Sequence, residues 1–236
     1  MLKSSTIGAI ALGLLTAACA HVETPPEGAL KPGTDWVANS PDWVSEAESV
    51  FAEATAYVDE IATTKAEGGW AVILDVDETV INNVAYQVSL DQSGASYAPD
   101  TWFAWTQEEA ATLVPGAAAF IKHVNARGGH VGLVTNRRDT EQLATERNLE
   151  ALGLRRHYDY RVLLTRALPN ATSEKDARFD LVPEMLATQG FPDVEIVAYV
   201  GDNKGDKPVE PGDWRFFCID QGGMYGDYCA AVPRSG

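Results

Sequence analysis

The sequence has few basic residues, few cysteines and few histidines. Lysine and arginine number 18 against 34 aspartates and glutamates, so the 236 residues carry a formal net charge of -16. Because a nucleic-acid polymer is bound mainly by neutralising its phosphates, this composition excludes a binder of such a polymer. The four histidines do not cluster, so no zinc site is indicated. The negative field also repels small anions, so an anionic substrate needs a local positive group.

No apolar run near the N-terminus is long enough to span a bilayer, since residues 7–15 fall well short of the length required. With Lys3 before them and small residues after them, they are typical of a secretory signal. The segment Leu15-Thr16-Ala17-Ala18-Cys19 resembles a bacterial lipobox. It predicts a signal peptide over residues 1–18 and an outer-membrane lipoprotein held by lipid on Cys19. The alternative is cleavage after Ala20, which gives a soluble periplasmic protein.

Two cysteines, Cys218 and Cys229, remain if Cys19 carries lipid. In an oxidising compartment such a pair favours one disulfide. Two free thiols are the alternative, one of them buried in the strand around Phe217.

The rest of the chain predicts an α/β domain over residues 41–236, preceded by a proline-rich tether over residues 19–40. Apolar residues at helical spacing predict a first helix over residues 41–65. Five continuous apolar runs are typical of buried parallel strands: 71–74, 131–134, 162–164, 196–200 and 216–219. Further helices are predicted at 115–127, 140–152 and 174–189.

This alternation predicts a doubly wound, mostly parallel sheet with helices on both faces. Residues 82–114 interrupt it and are rich in aromatic side chains. They are expected to form a small helical lobe together with the first helix, over about residues 41–66 and 82–114.

Polar residues directly follow the apolar runs, at the strand ends where such sheets bind ligands. They are Asp75 and Asp77 after the first run, Thr135 and Asn136 after the second, Lys175 after the third, and Asp202 and Asp206 after the fourth. Crowded carboxylates repel one another, and a hard divalent cation such as Mg²⁺ relieves the conflict. A hydroxyl, an amide and an ammonium group suit a phosphate.

These motifs resemble those of the haloacid dehalogenase superfamily. More narrowly, Leu74-Asp75-Val76-Asp77-Glu78-Thr79-Val80, Val134-Thr135-Asn136-Arg137, Ser173-x-Lys175-x-x-Arg178 and Gly201-Asp202-Asn203 resemble the class C bacterial acid phosphatases. Four motifs in the right order, on the expected elements, are stronger evidence than any one of them. The resemblance implies a lipid-anchored, Mg²⁺-dependent phosphomonoesterase, with 5′-nucleotides and other small phosphomonoesters as substrates.

The resemblance also implies a role for each site residue. Asp75 is the nucleophile that forms an aspartyl-phosphate, and Asp77 is the general acid and then the base. Mg²⁺ is held by the Asp75 carboxylate, the Asp77 backbone carbonyl and Asp202, with Asp206 behind them orienting metal-bound water. The phosphate is bound by Thr135, Asn136 and Lys175, and the leaving group is flanked by Trp105 and Tyr225.

Two other functions remain open at the level of sequence. A non-catalytic surface or storage protein on the same scaffold is expected to lose the nucleophile, whereas this chain keeps Asp75 and Asp77. A phosphotransferase shares the aspartyl-phosphate intermediate, so sequence does not separate it from a hydrolase. Arg137 and Arg178 are interpreted as salt-bridge partners rather than catalytic groups.

Overall fold

The computed structural model describes residues 28–167 and 172–225. The helices are α1 Pro32–Asn39, α2 Pro41–Thr64, α3 Val84–Ser93, α4 Pro99–Glu108, α5 Ala117–Ala126, α6 Gln142–Ala151 and α7 Asp176–Thr188. The strands are β1 Trp70–Leu74, β2 Ile81–Asn82, β3 Thr112–Leu113, β4 His130–Arg138, β5 Val162–Arg166, β6 Glu195–Gly201 and β7 Arg215–Cys218.

The main sheet has five strands in the order β5-β4-β1-β6-β7, and every pair in it is parallel. β1 occupies the centre because it is buried along its whole length, as a continuous apolar run predicts. Its side chains alternate between the two layers: Val72 and Leu74 belong to one core cluster, and Ala71 and Ile73 to the other. The predicted doubly wound α/β fold is confirmed.

Helices cover both faces of this sheet. α2 and α5 pack on one face, against β7 and β4 respectively, and α7 packs on the other, against β4 and β5. α7 is held by buried Phe179, Val182 and Leu186, and it accommodates Pro183 within its length. The carboxyl ends of the strands are therefore supported by helices on both faces of the sheet.

The first long helix, α2, packs on the main sheet. α2 begins after Ser40, whose hydroxyl accepts a hydrogen bond from the Asp42 N–H at 3.2 Å. Its buried face, which includes Trp43, Phe51 and Val58, belongs to the main core. α2 is thus a layer of the domain itself. Its main contacts are with α5 and β7, so they give no support to the predicted lobe of residues 41–66 and 82–114, which stays a prediction.

The predicted tether is also shorter than residues 19–40. Pro32–Asn39 form α1, which packs against α3 and buries Val37. Pro32 and Gly33 were interpreted as loop residues, but proline fits the first turn of a helix. Gly33 is needed for close packing, because a Cβ there would lie 2.6 Å from the backbone nitrogen of Met224.

The segment between β1 and α5 forms a small lobe above the sheet edge. β2 and β3 pair antiparallel, with Ile81 opposite Leu113, and enclose α3 and α4. α3 is bound to the chain before α1, because the Lys31 ammonium lies 2.9 Å from an Asp91 oxygen. This lobe brings the aromatic side chains of α4 towards the carboxyl ends of the strands.

Cys218 ends β7 and takes part in a disulfide. Cys19 and Cys229 lie outside the described residues, as do the predicted signal peptide and lipid anchor. Within residues 28–167 and 172–225, no helix has both the length and the apolar character needed to cross a membrane.

Candidate active site

Three carboxylates meet at the carboxyl ends of the two central strands. Asp75 follows β1 and Asp202 follows β6, and the Asp75 N–H donates to the Val200 carbonyl at 2.9 Å, which extends the β1–β6 pairing to the site. Asp206 lies in a short 3₁₀ turn after β6. One oxygen from each of these buried residues lies within 4.8 Å of the others, so the three carboxylates could hold a divalent cation.

Lys175 is a basic residue that contacts this cluster directly. Its ammonium donates to Asp75 Oδ1 and, at 2.7 Å, to Asp206 Oδ1, and its side chain is 3% exposed. Burial alone would lower its pKa, but the charges of Asp75 and Asp206 outweigh burial and raise it. The lysine is therefore charged, and it offsets only one of three buried carboxylates.

Burial raises the pKa of Asp75 to about 7, against the opposing effect of Lys175. Burial also raises the pKa of Asp202, and the Asp206 and Asp75 charges raise it further. Without a cation the pair thus retains protons at pH values where exposed aspartates are ionised. A divalent ion bound between these carboxylates would favour their ionised forms and release the protons.

Asp206 also holds the loop that carries Asp202. Its Oδ2 accepts hydrogen bonds from the N–H groups of Asp202 and Asn203, at 3.1 and 2.8 Å. The Asp206 side chain comes so close to β6 that a Cβ added at Gly201 would lie 2.2 Å from the Asp206 Cβ. Glycine at position 201 is therefore required for this approach.

The Asp77 carboxylate takes part in a separate hydrogen-bond network. Its Oδ1 accepts from Arg137 Nε and from Asn83 Nδ2, both at 2.9 Å, and its Oδ2 accepts from the Thr135 hydroxyl at 3.1 Å. Arg137 is held in turn by Thr145 and Asn83. The Asp77 carboxyl is thereby fixed in orientation and remains 20% exposed to the cavity.

The predicted phosphate ligands lie at the same edge. Thr135 and Asn136 occupy the last part of β4, and Lys175 directly precedes α7. Arg178 joins these elements, since it donates to the Thr135 carbonyl and, at 2.7 Å, to Asn136 Oδ1. Of the two predicted salt bridges, Arg137 forms one with Asp77, whereas Arg178 bonds to neutral oxygens.

A cavity of about 520 Å³ opens above these groups. Its lining includes Asp75, Asp77, Asp202, Asp206, Asn136, Lys175 and Tyr225 from the predicted site. Thr135 is fully buried behind it.

Trp105 does not line the cavity. It packs against the core, and its indole N–H donates to Asn83 Oδ1 at 2.9 Å. The cavity therefore gives no support to a contact of Trp105 with the leaving group, which stays a prediction. Trp102, one turn earlier on α4, faces the cavity in its place.

The family model of HAD superfamily, subfamily IIIB (acid phosphatase) matches residues 2–219. The chain belongs to this acid phosphatase family. Two similar solved structures are of the class C acid phosphatase from Bacillus anthracis. One is 24% identical with a TM-score of 0.62, and one with tungstate bound is 22% identical with a TM-score of 0.61. Each match covers 74% of this chain and 69% of the other.

This acid phosphatase is a phosphomonoesterase, and phosphatases of its superfamily generally use a divalent metal. The buried trio of Asp75, Asp202 and Asp206 fits such a metal because oxygen ligands and excess negative charge are both present.

Among the residues that line the acid phosphatase cavity, Glu78, Tyr97, Trp102 and Arg166 had no predicted role in the site. Glu78 is buried at a left-handed φ of 59°, and it accepts a hydrogen bond from the Asn83 N–H at 2.8 Å. Burial raises its pKa to about 8, helped by Asp77. The only indication of Glu78 in the sequence was its position between Asp77 and Thr79, in a short loop where not every side chain can be exposed.

Proposed function

We propose that this acid phosphatase hydrolyses small phosphomonoesters, 5′-nucleotides among them, with Mg²⁺ and through an aspartyl-phosphate on Asp75. The observation that carries the proposal is the buried convergence of Asp75, Asp202 and Asp206 in the lining of a cavity, with Lys175 paired to Asp75 and Asp206. The tungstate-bound structure of the Bacillus anthracis enzyme adds support, because tungstate is a tetrahedral oxyanion like phosphate.

Asp75, Asp202 and the Asp77 backbone carbonyl are the groups we propose as metal ligands, with Asp206 as support. Three carboxylates and one ammonium leave an excess of negative charge that a divalent cation balances. When bound, the cation offsets the charge of the carboxylates and of the phosphoryl oxygens. Magnesium is favoured because all the groups offered are hard oxygen ligands.

Asp75 is placed to attack phosphorus. An Asp75 oxygen forms the new bond to phosphorus while the bond from phosphorus to the ester oxygen breaks, which leaves an aspartyl-phosphate and an alcohol. Lys175 contacts Asp75 directly and orients it, and its ammonium is within reach of the phosphoryl oxygens. Water then attacks the aspartyl-phosphate and releases inorganic phosphate and free Asp75.

Asp77 supplies and removes the protons of these two steps. It gives its proton to the departing ester oxygen, and in the second step it takes a proton from the attacking water. Arg137 and Asn83 fix its Oδ1, so that its Oδ2 lies beside the Thr135 hydroxyl. This arrangement is suited to proton transfer because the carboxyl is oriented yet still partly exposed.

Removal of the metal tests the proposal. We expect excess chelator to lower kcat for para-nitrophenyl phosphate at least about 100-fold, because charge neutralisation at the phosphoryl group is lost. Added Mg²⁺ should restore the rate, and the larger Ca²⁺ should restore less of it. Full turnover in excess chelator would contradict the proposal.

The thermal stability of the same chelated protein gives a second readout. A carboxyl group whose pKa is raised on folding does not destabilise the protein below its unfolded pKa. Between the unfolded and the folded pKa, the free energy of unfolding falls as the pH rises. For Asp75, with a folded pKa of about 7, metal-free stability should fall between about pH 4 and pH 7 by a few kcal/mol.

Mg²⁺ should remove most of this loss, and the Asp75→Asn variant should show a smaller fall because it lacks the titrating group. The Tm of wild type and variant at pH 5 and pH 8, with and without Mg²⁺, measures both effects. An identical pH dependence in wild type and variant would count against the burial of an ionising Asp75.

We also propose that the enzyme is exported and attached to the outer membrane through lipid on Cys19. Support comes from Lys3, the apolar run over residues 7–15 and the small residues before Cys19. Mass spectrometry of protein purified from membranes should find a lipid-modified Cys19 at the new N-terminus. An unmodified N-terminus at His21 would instead mean a soluble periplasmic enzyme.

A further inference from the structure

The two sides of the cavity differ in charge. β1 and β6, which carry the three carboxylates, are neighbours in the sheet, whereas β5 lies two strands from β1 on the other side. Arg166 ends β5 and lines the same cavity. With strands about 4.8 Å apart, the end of β5 stands on the order of 10 Å from that of β1. When the substrate phosphate lies at Asp75, Arg166 can therefore contact another part of the substrate.

Arg166 has no acidic partner in the part of the chain that the structure describes. Its Nε is shielded from solvent and has no hydrogen-bond partner. Arg137, the other arginine of the cavity wall, is satisfied by Asp77, Asn83 and Thr145. A buried N–H group without an acceptor costs free energy. A ligand that accepts a hydrogen bond from Arg166 would remove this cost.

Two further arginines lie beside Arg166. Arg138 is its partner in the β4–β5 pairing. The pKa of Arg178 is lowered by burial and by the charge of Arg166, against the opposing effect of Asp75. None of the three forms an ion pair within residues 28–167 and 172–225. We call Arg138, Arg166 and Arg178 the arginine rim.

The arginine rim stands out in a chain with 34 acidic and 18 basic residues. Glu141 accepts a hydrogen bond from the backbone N–H of Arg138 and forms no ion pair with its guanidinium. Like charges gathered without a counterion are unfavourable, and they persist where a ligand supplies the opposite charge. The scissile phosphate alone does not need them, because Lys175 already lies beside Asp75.

We propose that Arg166 binds a second anionic group of the substrate, with Arg138 and Arg178 adding to the local positive field. The preferred substrates are then phosphomonoesters whose leaving group carries another phosphate or a carboxylate. Arginine suits this task because its planar fork matches both groups with two parallel hydrogen bonds. Tyr97 and Trp102 line the cavity and can contact the body of the leaving group. The inference rests on the proposed binding of the scissile phosphate at Asp75.

The test compares esters that differ only in charge. Para-carboxyphenyl phosphate carries a second anion, and para-carbamoylphenyl phosphate is its neutral counterpart of the same shape. We expect Arg166→Gln to lower kcat/KM for the carboxylate ester about tenfold, mainly through KM, and for the amide ester less than twofold, since one charge-assisted contact is lost. Para-phenylene bisphosphate distinguishes a preference for phosphate from one for carboxylate.

Arg155→Gln is the matched control. Arg155 is exposed, lies 4.6 Å above the Tyr158 ring and does not line the cavity, so the variant removes the same charge elsewhere. It should leave both rates unchanged. Arg166→Lys keeps the charge but not the fork and should lie between wild type and Arg166→Gln. Its Tm also shows whether position 166 tolerates substitution.

The outcomes separate the two proposals. If the wild-type enzyme hydrolyses neither ester, the proposed function fails. If wild type hydrolyses both and Arg166→Gln changes the two rates equally or not at all, the second-anion site is overturned. A selective loss with the carboxylate ester or the bisphosphate supports it.

Discussion

Asp75→Asn should lower kcat by about 10⁴-fold or more with every phosphomonoester, because a carboxamide oxygen does not form the aspartyl-phosphate. The loss should extend to every leaving group, since each alcohol departs only as a nucleophile attacks phosphorus. The variant should fold at least as well as wild type without metal. Burial raises the pKa of Asp75 to about 7, and a neutral amide of the same shape escapes that penalty.

Asp193→Asn provides the matched control for this substitution. Asp193 is exposed, and its φ of 59° suits asparagine as well as aspartate. The same chemical change there should leave kcat and Tm unaltered. Initial rates and single-turnover trapping of a phosphorylated protein in acid would measure the effect. Substantial turnover by Asp75→Asn would exclude Asp75 as the nucleophile.

Asp77→Asn should distinguish good from poor leaving groups. Nucleoside 5′-monophosphates release an alkoxide that needs a proton, so kcat/KM should fall about 10³-fold, whereas para-nitrophenyl phosphate should lose about tenfold or less. The asparagine can still accept a hydrogen bond from Arg137, but the buried guanidinium loses its ion pair. Some loss of stability is therefore expected, and the rates should be measured well below the Tm.

Thr135→Val is the comparison for the second variant. Thr135 Oγ1 donates to Asp77 and accepts from the Arg137 N–H, and it lies behind the cavity rather than at the leaving group. Its loss should slow both substrates by similar factors. Equal losses of both substrates in Asp77→Asn would mean that Asp77 does not protonate the leaving group.

The strands and the carboxylate cluster were predictable from sequence because two physical rules coincide. A parallel strand buried on both faces is a continuous apolar run, and the polar residue that follows each run must lie at one edge of the sheet. Asp75 and Asp202 follow from these rules alone, since β1 and β6 are adjacent.

The side chains of α4 were harder to predict because sequence does not determine which face of this helix is buried. Trp102, Phe103 and Trp105 are all large aromatics within ten residues, so apolar spacing does not select one face. The choice is made by a tertiary contact, the hydrogen bond from Trp105 to Asn83. α1 was missed for a related reason, since eight residues containing proline and glycine give too little pattern to identify a helix.

Gly201 has a consequence for recognising active members among related sequences. A chain that keeps all four aspartates but has any side chain at this position holds the right functional groups in the wrong arrangement, since the added carbon and the Asp206 side chain cannot both fit. An inventory of acidic residues would classify such a chain as intact. A glycine at position 201 is therefore as informative about catalytic competence as the carboxylates themselves.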